Sequence, residues 1–359
     1  MSAARSGRRV LLLACVVLGA AAGALHSHIR PACIARWTQC LLDGGSFADA
    51  QAAYEALAMQ QDADRLLEMP QNEPLARFLQ EHLSLVQPAP RVESFRLRWE
   101  DPRGQVLHEG CRETKTYDPR LPKVEADVVV PFDLAAAEAM ESRFGCPDPF
   151  PTIWGRSDVA WAMPALEQRV REVLRVRGLV YDGESVRIDY AGLVEQSLPG
   201  LVAVVPEVLR VFPRIANQAG RPPEVVALVS LVQRGVRYVA IPRQPGWENG
   251  GMRSPLMTLR YGGDCDSKSV LLAALLRVVN ARLPIVLITT KGGAPIPGDS
   301  ENHMLLGVAI PATECDATIR HQGVDYVLIE TTDGWGIGVA PDGFDAATIE
   351  HIIDVPVRP

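Results

Sequence analysis

Tyr261-Gly262-Gly263-Asp264-Cys265-Asp266-Ser267-Lys268-Ser269 runs directly into Val270-Leu271-Leu272-Ala273-Ala274-Leu275-Leu276. A flexible glycine pair and a cysteine therefore open an apolar helix that should be buried. A helix start favours a thiolate, because its unpaired N–H groups and positive dipole end lie beside the sulfur. A cysteine nucleophile is wanted at such a place. Asp264 and Asp266 are expected to cap the helix, and their charges oppose thiolate formation.

Rival chemistries fail on the same stretch. A phosphate-binding loop needs glycine immediately before its Lys-Ser pair, and Ser267 stands there. A calcium loop starting at Asp264 needs glycine at its sixth position and glutamate at its twelfth, where Ser269 and Leu275 occur. The chain has no Cys-x-x-Cys and no His-Glu-x-x-His, so zinc would require scattered ligands and neither a metal nor a cofactor is expected. Inert packing is the other reading of Cys265.

A thiol nucleophile also needs a histidine base and a polar group to orient its ring. His303 opens His303-Met304-Leu305-Leu306-Gly307-Val308-Ala309-Ile310, an apolar run of strand length bounded by Glu301-Asn302 and Pro311. His321 lies in Arg320-His321-Gln322-Gly323, which reads as a solvent-facing hairpin turn. His351 follows the last strand-like segment. Tyr326-Val327-Leu328-Ile329-Glu330 ends in a carboxylate and leads into Thr331-Thr332-Asp333-Gly334-Trp335. If these two strands pair, Glu330 lies beside His303, with Asp333 as the reserve acid.

The order cysteine, histidine, acid, with the cysteine opening a helix and the others on successive strands, resembles the transglutaminase-like cysteine peptidase superfamily. Val229-Ser230-Leu231-Val232-Gln233-Arg234-Gly235-Val236-Arg237-Tyr238 is similar to the helix before the cysteine loop in its bacterial members. Ser254-Pro255-Leu256-Met257-Thr258-Leu259 resembles their Pro-x-x-Thr-Leu approach, and Gly263-Asp264-Cys265-Asp266 their Gly-Asp-Cys-Glu/Asp box. Glu330-Thr331-Thr332 with Gly334-Trp335-Gly336-Ile337-Gly338 resembles the Glu-Thr-Thr ending of one microbial branch. The likeness covers about residues 222–345, and many members carry aspartate where Glu330 stands.

The resemblance implies an α+β fold with a transglutaminase-like, papain-like core, its cysteine helix packed on an antiparallel sheet. It makes Cys265 the nucleophile, His303 the base and Glu330 the orienting acid of an amide hydrolase, a protease or deamidase working through a thioester. A cross-linking transglutaminase and a noncatalytic cell-envelope binding module are the alternatives. The expected partner is a protein or peptide amide, and Trp247, in a glycine-rich loop, is a candidate shield for the site.

The 359 residues suit two domains, or one with large additions. Arg5, Arg8 and Arg9 precede an uncharged stretch from Val10 to Leu25 that ends in Ala22-Gly23-Ala24. This is the layout of an export signal cleaved after Ala24; a membrane tether through residues 10–25 is the alternative. The expected location is the bacterial periplasm or cell envelope. Without residues 1–24 the chain keeps 33 basic and 43 acidic residues, a net charge of −10 that disfavours nucleic acid.

The expected order is a helical region at 25–90, a small β-rich region and linker at 91–150, and a transglutaminase-like domain at 151–359. Pro-rich Cys146–Pro151 is the expected linker. Cys33 and Cys40, if on one helix, lie about 10 Å apart and cannot bond. Cys111 with Cys146 is the favoured disulfide pair.

Overall fold

The computed structural model describes residues 31–83, 91–101, 106–109, 112–117, 124–147, 150–151, 153, 160–181, 185–211, 221–242, 247–248, 252–291, 302–340 and 344–357. The expected signal segment lies outside them, as does Cys111 and with it the proposed Cys111–Cys146 pair. Among the described residues, no single helix is long and apolar enough to cross a membrane.

The chain divides into two units, residues 1–84 with 151–173, and 85–150 with 174–359. The first is helical, with α1 (Pro31–Leu42), α2 (Phe47–Leu67) and α3 (Glu73–Leu83). Cys33 and Cys40 both lie on α1. Ser46 starts α2 with a capping box: its hydroxyl accepts from Asp49 N at 3.2 Å, and the Asp49 carboxylate accepts from Ser46 N at 2.8 Å.

The second unit begins with β1 (Val92–Asp101), β2 (Val106–Glu109), β3 (Arg112–Tyr117) and β4 (Val124–Asp133). β1 pairs antiparallel with β4, and β2 with β3. There follow α4 (Leu134–Arg143), β5 (Cys146–Pro147), α5 (Met163–Val176), within which the unit boundary falls, β6 (Leu179–Tyr181) and β7 (Val186–Ile188). Next come α6 (Tyr190–Leu201), α7 (Val204–Val211), α8 (Pro223–Ser230), a π-helical turn over Leu231–Gly235, β8 (Trp247–Glu248), α9 (Pro255–Tyr261) and α10 (Cys265–Val279). The chain ends in β9 (Ile285–Lys291), β10 (Asn302–Val308), β11 (Thr318–His321), β12 (Val324–Ile329) and β13 (Ile349–Val355).

The last five strands form one antiparallel sheet in the order β11-β12-β10-β9-β13. The fold is therefore α+β, built on an antiparallel sheet. Alternation along the strands separates two apolar faces. Ile285, Leu287, Met304, Leu306, Val308, Val327 and Ile329 share a core with α10, whereas Val286, Ile288, Leu305, Tyr326 and Leu328 form a second cluster on the other face. α10 is buried at every position from Ser267 to Arg277, as its unbroken apolar run requires. Arg277 closes its C-terminal end by donating to Ala281 O, Leu283 O and Val355 O at 2.7–2.8 Å.

The expected boundary at residue 150 is corrected, because the β1–β4 ribbon belongs to the C-terminal core. Leu97, Val128, Val130 and Phe132 join the cluster that buries α10, and Trp99 Nε1 donates to Ser230 Oγ at 3.0 Å. The expected linker is also partly structured: Cys146–Pro147 pairs as β5 with Trp247–Glu248 of β8.

Leu272 is fully buried in α10, whereas Val129 stands 43% exposed on β4. Leu272→Ala is expected to cost about 2–5 kcal/mol in urea unfolding of this unit, and Val129→Ala less than about 0.5 kcal/mol.

Candidate active site

The glycine pair before Cys265 serves close approach rather than flexibility. Gly262 has φ +85°, and a Cβ there would sit 2.5 Å from Arg237 O. Gly263 N donates to Arg237 O at 3.1 Å, and Val239 N to Gly263 O at 3.0 Å. The turn is thereby laid against the segment that leaves the π-helical turn. Asp264 is the N-cap of α10, its carboxylate accepting from Ser267 N at 3.3 Å.

β10 and β12 pair antiparallel with Leu306 opposite Ile329. Continued by two residues, that register would set Met304 against Thr331, but β12 has already ended at Ile329. The first turn of α10 fills the space. Met304 N–H is hydrogen-bonded to the Cys265 sulfur, and Met304 O accepts from Ser269 Oγ at 3.3 Å. Thr331 ties the same turn down, with its hydroxyl 2.9 Å from Ser269 Oγ and donating to Cys265 O at 3.4 Å.

His303 and Glu330 meet beside this turn. His303 Nε2 lies 2.6 Å from Glu330 Oε2, and both side chains are buried, at 2% and 0% exposure. The other carboxylate oxygen accepts from Thr332 N at 2.7 Å and Thr332 Oγ1 at 2.6 Å. Burial alone would push the Glu330 carboxyl up, but the bond and charge of His303 and the two Thr332 donors hold it below its usual range. An ionised Glu330 can only accept, so His303 Nε2 carries the proton of this contact and Nδ1 lies outside it.

Cys265 is half-buried, and the expected fall in its pKa is corrected. Burial pushes the thiol up, and the charges of Asp266 and Asp264, with a smaller one from Glu330, outweigh the Met304 N–H that favours the thiolate. Its sulfur is bonded to Met304 N–H, and no hydrogen bond joins it to the His303 ring. The two aspartates share a cluster in which the Asp266 side chain bonds that of Asp264 and accepts from Ser267 N at 2.7 Å. Burial first, and then the bond and charge of Asp264, push the Asp266 carboxyl well up. The Tyr190 hydroxyl, from the start of α6, completes the cluster by bonding Asp266.

The remaining expectations resolve by position. Asp333 is exposed and its carboxylate accepts from Gly334 N at 2.6 Å, so Glu330 rather than Asp333 bears on His303. His321 does not simply face solvent: its Nε2 lies 3.3 Å from Asp354. Among the described residues, no three His, Cys, Asp or Glu side chains gather as a metal-binding group.

Sequence reading missed Tyr190, Gln233 and Lys268. Lys268 is fully buried, and burial, only partly offset by the charges of Glu330 and Asp333, brings its amine down to about 8. A lysine one turn into an apolar helix was the available signal. Nothing in the string names the carbonyls it meets. No protein-family model, curated protein or solved structure matches this chain.

These electrostatics set how the resting thiol titrates. Iodoacetamide labelling of Cys265 is expected to rise with pH to a midpoint above the ordinary thiol value of about 8.5. Asp264→Asn keeps a capping oxygen but removes a charge, and should move that midpoint to lower pH.

Proposed function

We propose that this chain is a cysteine-dependent amide hydrolase of transglutaminase-like type, with Cys265 as nucleophile, His303 as base and Glu330 as the orienting acid. The observation that carries the reading is the buried His303 Nε2–Glu330 Oε2 contact of 2.6 Å, one residue along β10 from the amide that holds the Cys265 sulfur. A carboxylate that fixes one imidazole nitrogen leaves the other to take a proton from a thiol.

A raised thiol pKa favours general-base attack over a preformed ion pair. The thiol turns from Met304 N–H toward His303 Nδ1 and gives up its proton as sulfur attacks the amide carbonyl. Backbone N–H groups beside Cys265, at the start of α10, stabilise the oxyanion. His303 then protonates the departing amine, leaving a thioester that water cleaves to a free acid. An amine acceptor in place of water would give a cross-link. The substrate is a protein or peptide amide, and the arginine-led apolar N-terminal stretch supports work in the cell envelope.

The noncatalytic reading draws on one observation, the burial and neighbouring charges that disfavour the thiolate. Peptide profiling of a cell-envelope extract treated with wild type or Cys265→Ala separates the readings. Cleaved or deamidated peptides should appear with wild type alone, and cross-linked peptides would instead identify a transamidase. His303→Ala and Glu330→Gln should each lower that activity by about 10³-fold or more, with Asp333→Asn close to wild type. An unchanged peptide set, together with Cys265 alkylation at pH 7 that is indifferent to His303→Ala, would leave only the binding module.

A further inference from the structure

A π-helical turn widens the helix and shifts its backbone hydrogen bonds, so carbonyls near its end need other donors. The Leu231–Gly235 turn meets that need from α10: Lys268 Nζ donates to Val236 O at 2.9 Å and Gln233 O at 3.5 Å. The same turn directs the Gln233 side chain inward, where it is 8% exposed. Its Nε2 donates to Glu330 O at 2.6 Å and to Trp335 O at 2.9 Å.

Those two carbonyls bracket the loop that follows β12. Its middle is held by Arg234 Nη2, which donates to Gly334 O at 3.2 Å. Within it, Thr332 N and Oγ1 fold back onto Glu330 Oε1, which leaves Oε2 for His303. The direction of the carboxylate therefore depends on the path of the loop. That path is fixed at both ends by one amide group.

We propose that Gln233 is a positioning residue of the candidate triad: its amide clamps Glu330 O and Trp335 O and so aims the Glu330 carboxylate at His303, while Lys268 holds the π turn in place. The inference rests on the reading of Cys265, His303 and Glu330 given above. Gln233 touches no reacting atom and acts only through Glu330.

The test uses the full chain labelled with ¹⁵N-histidine, the His303 signals being assigned by their loss in His303→Ala. Wild type should show a protonated Nε2 and a bare Nδ1, and Glu330→Gln should disturb that pattern. Gln233→Met, which keeps the length of the side chain but removes both donors, should shift the His303 nitrogens toward the Glu330→Gln pattern. It should also slow His303-dependent alkylation of Cys265 at pH 7 by about 10- to 100-fold, as expected for a misplaced base. Gln233→Asn, shorter by one methylene, should fall between the two and serves if Gln233→Met does not fold. Wild-type nitrogen signals and alkylation in either folded Gln233 variant, with Glu330→Gln shifted, would overturn the clamp and leave the triad standing. His303 signals unmoved by Glu330→Gln would overturn both.

Discussion

Burial of α10 is the constraint from which the site follows. An apolar helix enclosed on every side leaves its polar first turn little water, so each of those groups must be satisfied by protein. Asp264 and Asp266 close on Ser267 and on each other, Lys268 reaches the carbonyls of the π-helical turn, and Ser269 bonds Thr331 and Met304 O. These bonds draw the ends of β10 and β12 to the start of α10. His303 and Glu330 sit at those two strand ends.

The early end of β12 makes room for this arrangement. Two more pairs of residues in the β10–β12 ladder would occupy the Met304 edge now taken by Cys265 and Ser269. Instead the chain turns at Glu330, Thr332 bonds the carboxylate, and Gln233 holds the loop. The result is a buried imidazole–carboxylate pair beside a half-buried thiol. Burial and the two aspartates oppose its ionisation in the resting molecule, which assigns deprotonation of Cys265 to the moment of attack in the mechanism proposed here.

Much of this was legible in the string. The unbroken run after Ser269 announced a buried helix, Asp264 its cap, and the apolar stretch after His303 a buried strand. Glu330 stood out as the carboxylate that closes the apolar run Tyr326–Ile329, and pairing of the two strands brought it to His303. Less legible were the partners of Lys268 and Gln233, because a buried amine or amide is explained only by the carbonyls it meets, and those lie about 30 and 100 residues away in sequence. The thiol's direction of shift was misjudged for a related reason: a helix start is a local feature, whereas desolvation and the Asp264–Asp266–Tyr190 cluster are assembled in three dimensions.

Periodicity, capping and turn chemistry act over a few neighbouring positions, so the string alone sets the secondary elements around the site and the order of its three candidate residues. Only the packing of distant segments brings the β1–β4 ribbon into the core of the C-terminal unit, gives the end of β12 to α10, and surrounds the Cys265 thiol with burial and charge that oppose its ionisation. Each of these depends on which distant groups exclude water from one another, and no local stretch of the chain carries that information.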